Sequence, residues 1–171
     1  MPSVHGLQAL AADLPKSRTV SLARPNDTAP YLANDVIGDT TAAGGGVIEF
    51  IEMGPAGSEL MITGLDLRID AAAIISGETT YRLHLYSVTP PSDYGDNAAW
   101  DLPSGDRASY LGAIDISTPV DEGSTLFIKM REINAQVRLA ETSLWGYLVT
   151  VGPHTPTALR AYSVTVHAIK L

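Results

Sequence analysis

Apolar and polar residues alternate with a period of two along much of this chain, and that alternation constrains the fold more than any other feature. In residues 61–70, Leu65, Leu67 and Ile69 alternate with charged residues, and residues 80–88 repeat the pattern. Such alternation indicates half-buried strands, because successive side chains of a strand point to opposite faces of the sheet. Similar runs predict further strands at residues 19–22, 47–53, 110–117, 125–131, 144–151 and 162–171.

Roughly eight to nine strands without intervening helices predict an all-β fold. We expect an antiparallel β-sandwich, jelly-roll-like, because two packed sheets shorten the open edges on which strands aggregate. The only helix candidates are the N-terminus and residues 132–139. A chain of 171 residues suits one domain, which we place at residues 18–171.

Residues 1–17 are predicted to form a short N-terminal arm. Its apolar residues have helical spacing, but Pro15 ends the pattern after barely two turns, so the arm would need a surface to dock on. We expect the arm to contact a neighbouring subunit or a capsid through Val4, Leu7, Leu10 and Leu14. The alternative is a frayed terminus.

Charge and composition exclude several classes of protein. The formal net charge is −8 and the 11 Lys and Arg residues are scattered, which argues against nucleic-acid binding. The N-terminus lacks the pattern of a signal peptide, and no apolar run is long enough to span a membrane. The chain has no Cys, so stability must come from burial and pairing alone.

Residues 24–38 combine turn-forming residues with apolar ones. Asn, Asp and Pro residues can hold such a segment rigid without helix or strand. We therefore predict that Tyr31, Val36 and Ile37 are structural anchors that pack against the sandwich.

No motif predicts catalysis, a cofactor or a metal site. The four His residues lack chelating spacing and no nucleophile elbow is present, so we expect solvated or hydrogen-bonded His and no enzyme. Residues 44–46, three glycines, are interpreted as a flexible linker. Loop 89–107 contains Asp93, Asp96, Asp101 and Asp106, which could bind Ca²⁺ but are more simply explained as turn residues.

Three short motifs carry a family resemblance. Residues 24–38 have the order RP-x-D-T-x-x-Y-x-x-x-D-V-I-G, residues 82–86 are RLHLY, and residues 91–100 have the order P-x-x-Y-x-D-N-A-A-W. Together they resemble small structural proteins of tailed bacteriophage virions. The resemblance implies a virion component, and we expect a decoration or cement protein that binds and stabilises the phage head.

The resemblance also implies partners and a location. We expect contacts with the major capsid protein or other virion subunits, a place on the outer surface of the head, and synthesis in the host cytoplasm. A homo-oligomer is predicted, with a trimer favoured, because Phe127 and Tyr86 fall on nominally polar strand faces. The alternatives are a tail, collar or fibre-associated subunit, a carbohydrate-binding sandwich that uses loop 89–107, and a hydrolase.

Overall fold

Ten β-strands form the regular structure of residues 15–171, the part of the chain that the computed structural model describes. Within these residues there is no helix. In chain order the strands are β1 (Lys16–Ala23), β2 (Val36–Ile37), β3 (Val47–Phe50), β4 (Glu59–Ile69), β5 (Tyr81–Tyr86), β6 (Tyr110–Ile116), β7 (Val120–Asp121), β8 (Leu126–Arg138), β9 (Leu144–Thr150) and β10 (Ala161–Lys170). The all-β prediction is therefore confirmed.

The strands form two antiparallel sheets. The first sheet has the order β1-β10-β4-β8-β7, and the second sheet has the order β2-β9-β5-β6. Strand β3 pairs with β9 directly after β2, since Ile37 lies opposite Leu148 and Val47 opposite Tyr147. Strands β2 and β3 are therefore two halves of one strand, which residues 38–46 interrupt.

The pairing is nested, as in a long hairpin that has been rolled up. The first strand pairs with the last, β2 and β3 pair with β9, β4 pairs with β8, and β5 pairs with β6. Successive strands of each arm of this hairpin alternate between the two sheets. This nesting defines a jelly roll. The predicted jelly-roll-like sandwich is thus confirmed.

The main core lies between the sheets and contains the apolar residues that the alternation singled out. Leu65, Leu67 and Ile69 of β4 are fully buried. In β5, Leu83 is fully buried and Leu85 is 2% exposed. Fully burying such a side chain contributes about 1.5–3 kcal/mol relative to leaving it exposed. A second cluster lies on the outer face of the β2-β9-β5-β6 sheet and contains Val36, Tyr86, Tyr147 and Val149.

Two local predictions are wrong. Residues 132–139 are not helical, because Glu132 and Asn134 have positive φ and the following residues of β8 pair with β4. The glycines at 44–46 are not a flexible linker. The Gly46 amide donates to the Tyr94 carbonyl at 2.9 Å, and a Cβ at Gly46 would lie 2.3 Å from a Val36 methyl, so a side chain cannot fit there.

Candidate functional site

Residues 24–38 and 96–100 lie side by side, although 58 residues separate Gly38 from Asp96. The Val36 amide donates to the Ala98 carbonyl at 2.9 Å, and the Asn97 amide donates back to the Val36 carbonyl at 2.9 Å. The Trp100 amide donates to the Asn34 carbonyl at 2.9 Å. The two motifs therefore form one unit. Its strand β2 pairs with β9 and so attaches the unit to the sheet. We call it the interlocked unit.

The Asp96 carboxylate is the centre of this unit. Its Oδ1 accepts hydrogen bonds from the Tyr31 hydroxyl at 2.5 Å and from the Gly38 amide at 2.9 Å. Its Oδ2 lies 3.5 Å from Nη2 of Arg24. Both charged side chains are essentially free of solvent contact. Burial raises the pKa of Tyr31, so the phenol stays protonated and acts as the donor.

Arg24 ties the start of the segment to the same centre. Its Nη1 donates to the Asp27 carbonyl at 2.6 Å, and its Nε donates to the Tyr31 hydroxyl at 3.3 Å. Nη2 also pairs with the Asp27 carboxylate at 3.1 Å, and the guanidinium lies 5.1 Å from the centre of the Tyr31 ring. Arg24 thus fixes the turn at Asp27 and the ring of Tyr31 together.

A second buried ion pair lies close by. Nη2 of Arg160 donates to both carboxylate oxygens of Glu78 at 2.8 and 2.9 Å, and both side chains are fully buried. The Tyr81 hydroxyl donates to the same carboxylate, and burial raises the pKa of Tyr81 well above its ordinary value. The Arg24 amide donates to the Arg160 carbonyl at 3.1 Å, which joins the two ion pairs.

Such buried pairs specify one arrangement more than they stabilise it. Their attraction roughly offsets the cost of desolvation, but removing one partner leaves an uncompensated charge and costs about 3–5 kcal/mol. The interlocked unit is therefore held in one position by groups that cannot be exchanged singly. Each of these buried charges thus has a partner of opposite charge within the fold.

Loop 89–107 covers the outer face of the second sheet with aromatic side chains. The Trp100 ring stacks on the His84 ring at 3.5 Å between centres, and its Nε1 donates to the Tyr86 hydroxyl at 3.3 Å. The Tyr147 hydroxyl donates to the Ser92 carbonyl. Trp100 of the loop therefore packs within the protein. A carbohydrate-binding surface would instead present such a ring to solvent.

His84 and Tyr86 lie under this loop and not in solvent. Tyr86 is fully buried, so the prediction that it marks an exposed interface is wrong. The physical reason is that loop 89–107 supplies a second apolar layer outside the sheet. His84 Nδ1 lies 3.0 Å from the Tyr110 hydroxyl, and burial lowers the pKa of His84 to about 4. Phe127 is half-buried, with the Arg68 guanidinium 5.6 Å from its ring centre.

The acidic residues of loop 89–107 make separate contacts and do not converge on one point. Asp96 belongs to the interlocked unit, the Asp101 carboxylate accepts from the Leu102 amide at 2.7 Å, and the Asp106 side chain is buried within the loop. Asn97 has a φ of 65°. When its side-chain amide is oriented with the nitrogen toward Pro30, that nitrogen donates to the Pro30 carbonyl at 3.0 Å. Among the described residues, no three His, Asp or Glu side chains are placed to hold a metal ion.

A Ser-His-Asp chain lies on the outer face of the first sheet. Ser17 Oγ lies 2.7 Å from His167 Nδ1, and His167 Nε2 lies 3.1 Å from Asp66 Oδ2. The ring is reversed relative to serine hydrolases, where Nε2 faces the serine. Asp66 also pairs with Arg131 at 2.7 Å, and that pairing lowers the pKa of Asp66 against the effect of its partial burial.

The surroundings of Ser17 identify this chain as a cross-strand contact. The next two pairs along β1 and β10, Thr19 with Thr165 and Ser21 with Ser163, join their hydroxyls at 2.7 and 2.6 Å. Ser17 continues that series on a flat strand face, and not on the sharp strand-to-helix turn that exposes a nucleophile. The hydrogen-bonded series Ser17–His167–Asp66 therefore links β1, β10 and β4.

The structure buries all three predicted anchors: Tyr31 is 1% exposed, and Val36 and Ile37 are fully buried. The arm residues Val4, Leu7, Leu10 and Leu14 lie outside the described residues. Sequence reasoning missed the Arg160–Glu78 pair, because a charged residue in a loop ordinarily faces water and no spacing marks these two as partners. Nowhere in residues 15–171 is there a helix long and apolar enough to cross a membrane.

The strand order places the protein in the class of jelly-roll β-sandwiches. No protein-family model matches the sequence, and neither does any curated protein. Among solved structures, a chain of the capsid of Ralstonia phage GP4 is similar with 12% identity and a TM-score of 0.42, over 92% of this chain and 83% of that one.

Two further structures show how broad this similarity is. A chain of the Israeli acute paralysis virus particle matches with 10% identity and a TM-score of 0.31, over 94% of this chain and 72% of that one. The K3 adhesin domain of Lys-gingipain from Porphyromonas gingivalis matches with 10% identity and the same TM-score of 0.31, over 73% and 63%. Likenesses at this level do not define a function.

Proposed function

We propose that this protein is a non-enzymatic structural protein of a tailed-phage virion, a decoration or cement protein that binds the outer surface of the head and stabilises it. The observation that carries the proposal is the interlocked unit. Two of the three motifs of the virion-protein resemblance, at residues 24–38 and 91–100, contribute the residues that build this unit, with Asp96 joined to Tyr31, Gly38 and Arg24. These two motifs therefore consist of residues that build the fold.

The mechanism we propose is mechanical. A rigid domain that binds only the assembled lattice stabilises that lattice by mass action, because its binding free energy is lost whenever subunits separate. Rigidity favours this task, since little conformational entropy is then lost on docking. The buried ion pairs and the loop packed over the second sheet supply that rigidity.

The partners we propose are the major capsid protein or other virion subunits, and a homo-oligomer, with a trimer favoured. Tyr86 no longer supports the oligomer, since it is buried. The net charge of −8 still favours a protein partner over packaged DNA. Synthesis in the host cytoplasm followed by assembly onto the head belongs to the same proposal.

The N-terminal arm is proposed to contact a neighbouring subunit through Val4, Leu7, Leu10 and Leu14. Strand β1 begins at Lys16, so a clean deletion removes residues 1–14 and leaves the strand intact. We expect this deletion to weaken binding to heads without lowering the melting temperature of the free protein. Equal binding by the deleted and full-length proteins would make the arm a passive tail.

The experiment for the proposed function adds the purified protein to heads assembled without it. We expect saturable binding to the head and a higher temperature of head disruption, in proportion to occupancy. Binding to tails, collars or fibres instead would favour the alternative virion position. Binding to no part of the particle would contradict the proposal.

A further inference from the structure

The exposed large apolar side chains are concentrated at one end of the jelly roll. At that end Ile69 pairs with both Leu126 and Tyr162, and Tyr81 pairs with both Thr150 and Ile116. The connections at residues 24–35, 70–80, 117–125 and 151–160 all leave from these strand ends. We call this surface the loop end.

Five of the seven large apolar side chains exposed among the described residues belong to the loop end, with between 36% and 67% of each in contact with solvent. They are Leu32, Ile74, Val120, Val151 and Leu159. The other two, Ile51 and Leu171, lie at the opposite end. Single exposed apolar residues are common, whereas several at one end of a molecule are typical of an interaction site.

Hydrogen bonds hold these connections against one another. The Leu32 carbonyl accepts from the Thr150 hydroxyl at 2.8 Å, and the Val151 amide donates to the Thr80 carbonyl at 3.0 Å. The Leu159 amide donates to the Pro25 carbonyl at 3.2 Å. Leu32, Val151 and Leu159 are therefore carried by backbone that these hydrogen bonds hold in place, and ordering them on docking would cost little entropy.

The exposed charge of the four loop-end connections is negative, while Arg68 and Arg82 on the adjoining strand ends also reach solvent, Arg82 in an ion pair with Asp115. Both arginines of the four connections, Arg24 and Arg160, are fully buried in ion pairs. The charged side chains of these connections that reach solvent are carboxylates: Asp27, Asp70, Asp121 and Glu122. A second copy would bring these acids against one another, and like charges at an interface oppose association.

We propose that the loop end is the docking surface, and that its occupant is a protein surface on the head that presents Lys and Arg around an apolar centre. The inference rests on the proposed function and adds to it which end of the molecule faces the head. Apolar contact supplies affinity at the centre, and the acids select the partner and speed its encounter.

The test measures binding of end-matched variants to heads assembled without this protein. At the loop end the variants are Leu32→Ser with Leu159→Ser, and Asp70→Lys with Glu122→Lys. The matched controls at the opposite end are Ile51→Ser and Glu141→Lys, both at exposed positions. Melting curves and sedimentation of each variant report folding and self-association.

We expect each loop-end pair to weaken binding by about tenfold or more, as for truncation of interface anchors, with the controls unchanged. Binding by the wild type should also weaken as salt rises, and the charge-reversed pair should lose that dependence. If the wild type binds heads but the control variants weaken that binding, or if neither set of variants weakens it, the inference is overturned while the proposed function stands. Loss of self-association alone would show that the occupant is a second copy. Failure of the wild type to bind contradicts the proposed function itself.

Discussion

Asp96 receives hydrogen bonds or charge from three parts of residues 24–38, and none of these groups can be satisfied by water once the unit is closed. At the scale of single residues, this makes the carboxylate a sensitive point. The exposed pair of Arg82 and Asp115, 2.6 Å apart, offers a matched comparison because it has the same chemistry in solvent.

Asp96→Asn is expected to lower the free energy of unfolding by about 1.5–3 kcal/mol, because it removes the buried carboxylate that accepts from Tyr31 and leaves Arg24 with only the partly exposed Asp27 as counter-charge. Asp115→Asn should cost less than about 1 kcal/mol, because a solvent-exposed pair contributes little. Urea unfolding of both variants checks the prediction. Equal losses would mean that the buried pair does not hold the unit together.

His84 predicts a pH dependence of stability. Its pKa is lowered from 6.5 to about 4, mainly by burial and also by the nearby Arg82, while Asp115 opposes the shift. Between these values the unfolded chain binds a proton that the folded protein does not, so stability falls as pH falls from 6.5 to about 4. The loss is about 3 kcal/mol for a shift of this size.

His84→Gln removes that titration and leaves the other groups in place. We therefore expect the variant to lose less stability than the wild type between about pH 7 and about pH 5, whatever its stability at neutral pH. Unfolding curves of both proteins at the two pH values give the difference. Identical pH dependence would show that His84 is protonated as easily in the folded state as in the unfolded chain.

Among the elements, residues 24–35 connect β1 to β2 and are held in place by buried contacts. Tyr31 is the largest apolar anchor of this segment, with its ring 5.4 Å from the ring of His154 and its hydroxyl on Asp96. The neighbouring Leu32 is the most exposed large apolar residue described and shares the same local backbone. These two positions allow one segment to be probed from its buried and its exposed side.

Tyr31→Ala should cost about 3–5 kcal/mol, the usual range for truncation of a buried aromatic residue. For a domain of this size that loss lowers the melting temperature by about 10 °C. Leu32→Ala should leave it nearly unchanged. Thermal unfolding followed by circular dichroism provides the measurement, and a Tyr31→Ala protein that melts like the parent would show that the segment is not anchored.

The elements also show where sequence reasoning stops. Strands with one covered face, such as β4 and β10, follow the alternation and were predicted within two residues. In β5 and β9 both faces are buried, because loop 89–107 covers the outside, so His84 lies buried where alternation predicts solvent. Strands β2 and β7 have two residues each and carry no periodic signal.

At the scale of the whole molecule, the jelly roll follows from the number and spacing of the strands, whereas the site follows from contacts between distant loops. The sequence predicts the rigid character of residues 24–38. It does not predict that Asp96 completes that segment, because no local pattern records a partner 58 residues away. The charge asymmetry of the loop end is likewise invisible until the topology brings four connections together.

The most direct test of the account is an image of the virion at a resolution that shows strands. We expect density on the outer surface of the head into which the jelly roll fits, repeated at equivalent lattice positions, with the loop end toward the capsid. Density for this protein on the tail or fibres, or particles that lack it altogether, would contradict the assignment as a head decoration protein.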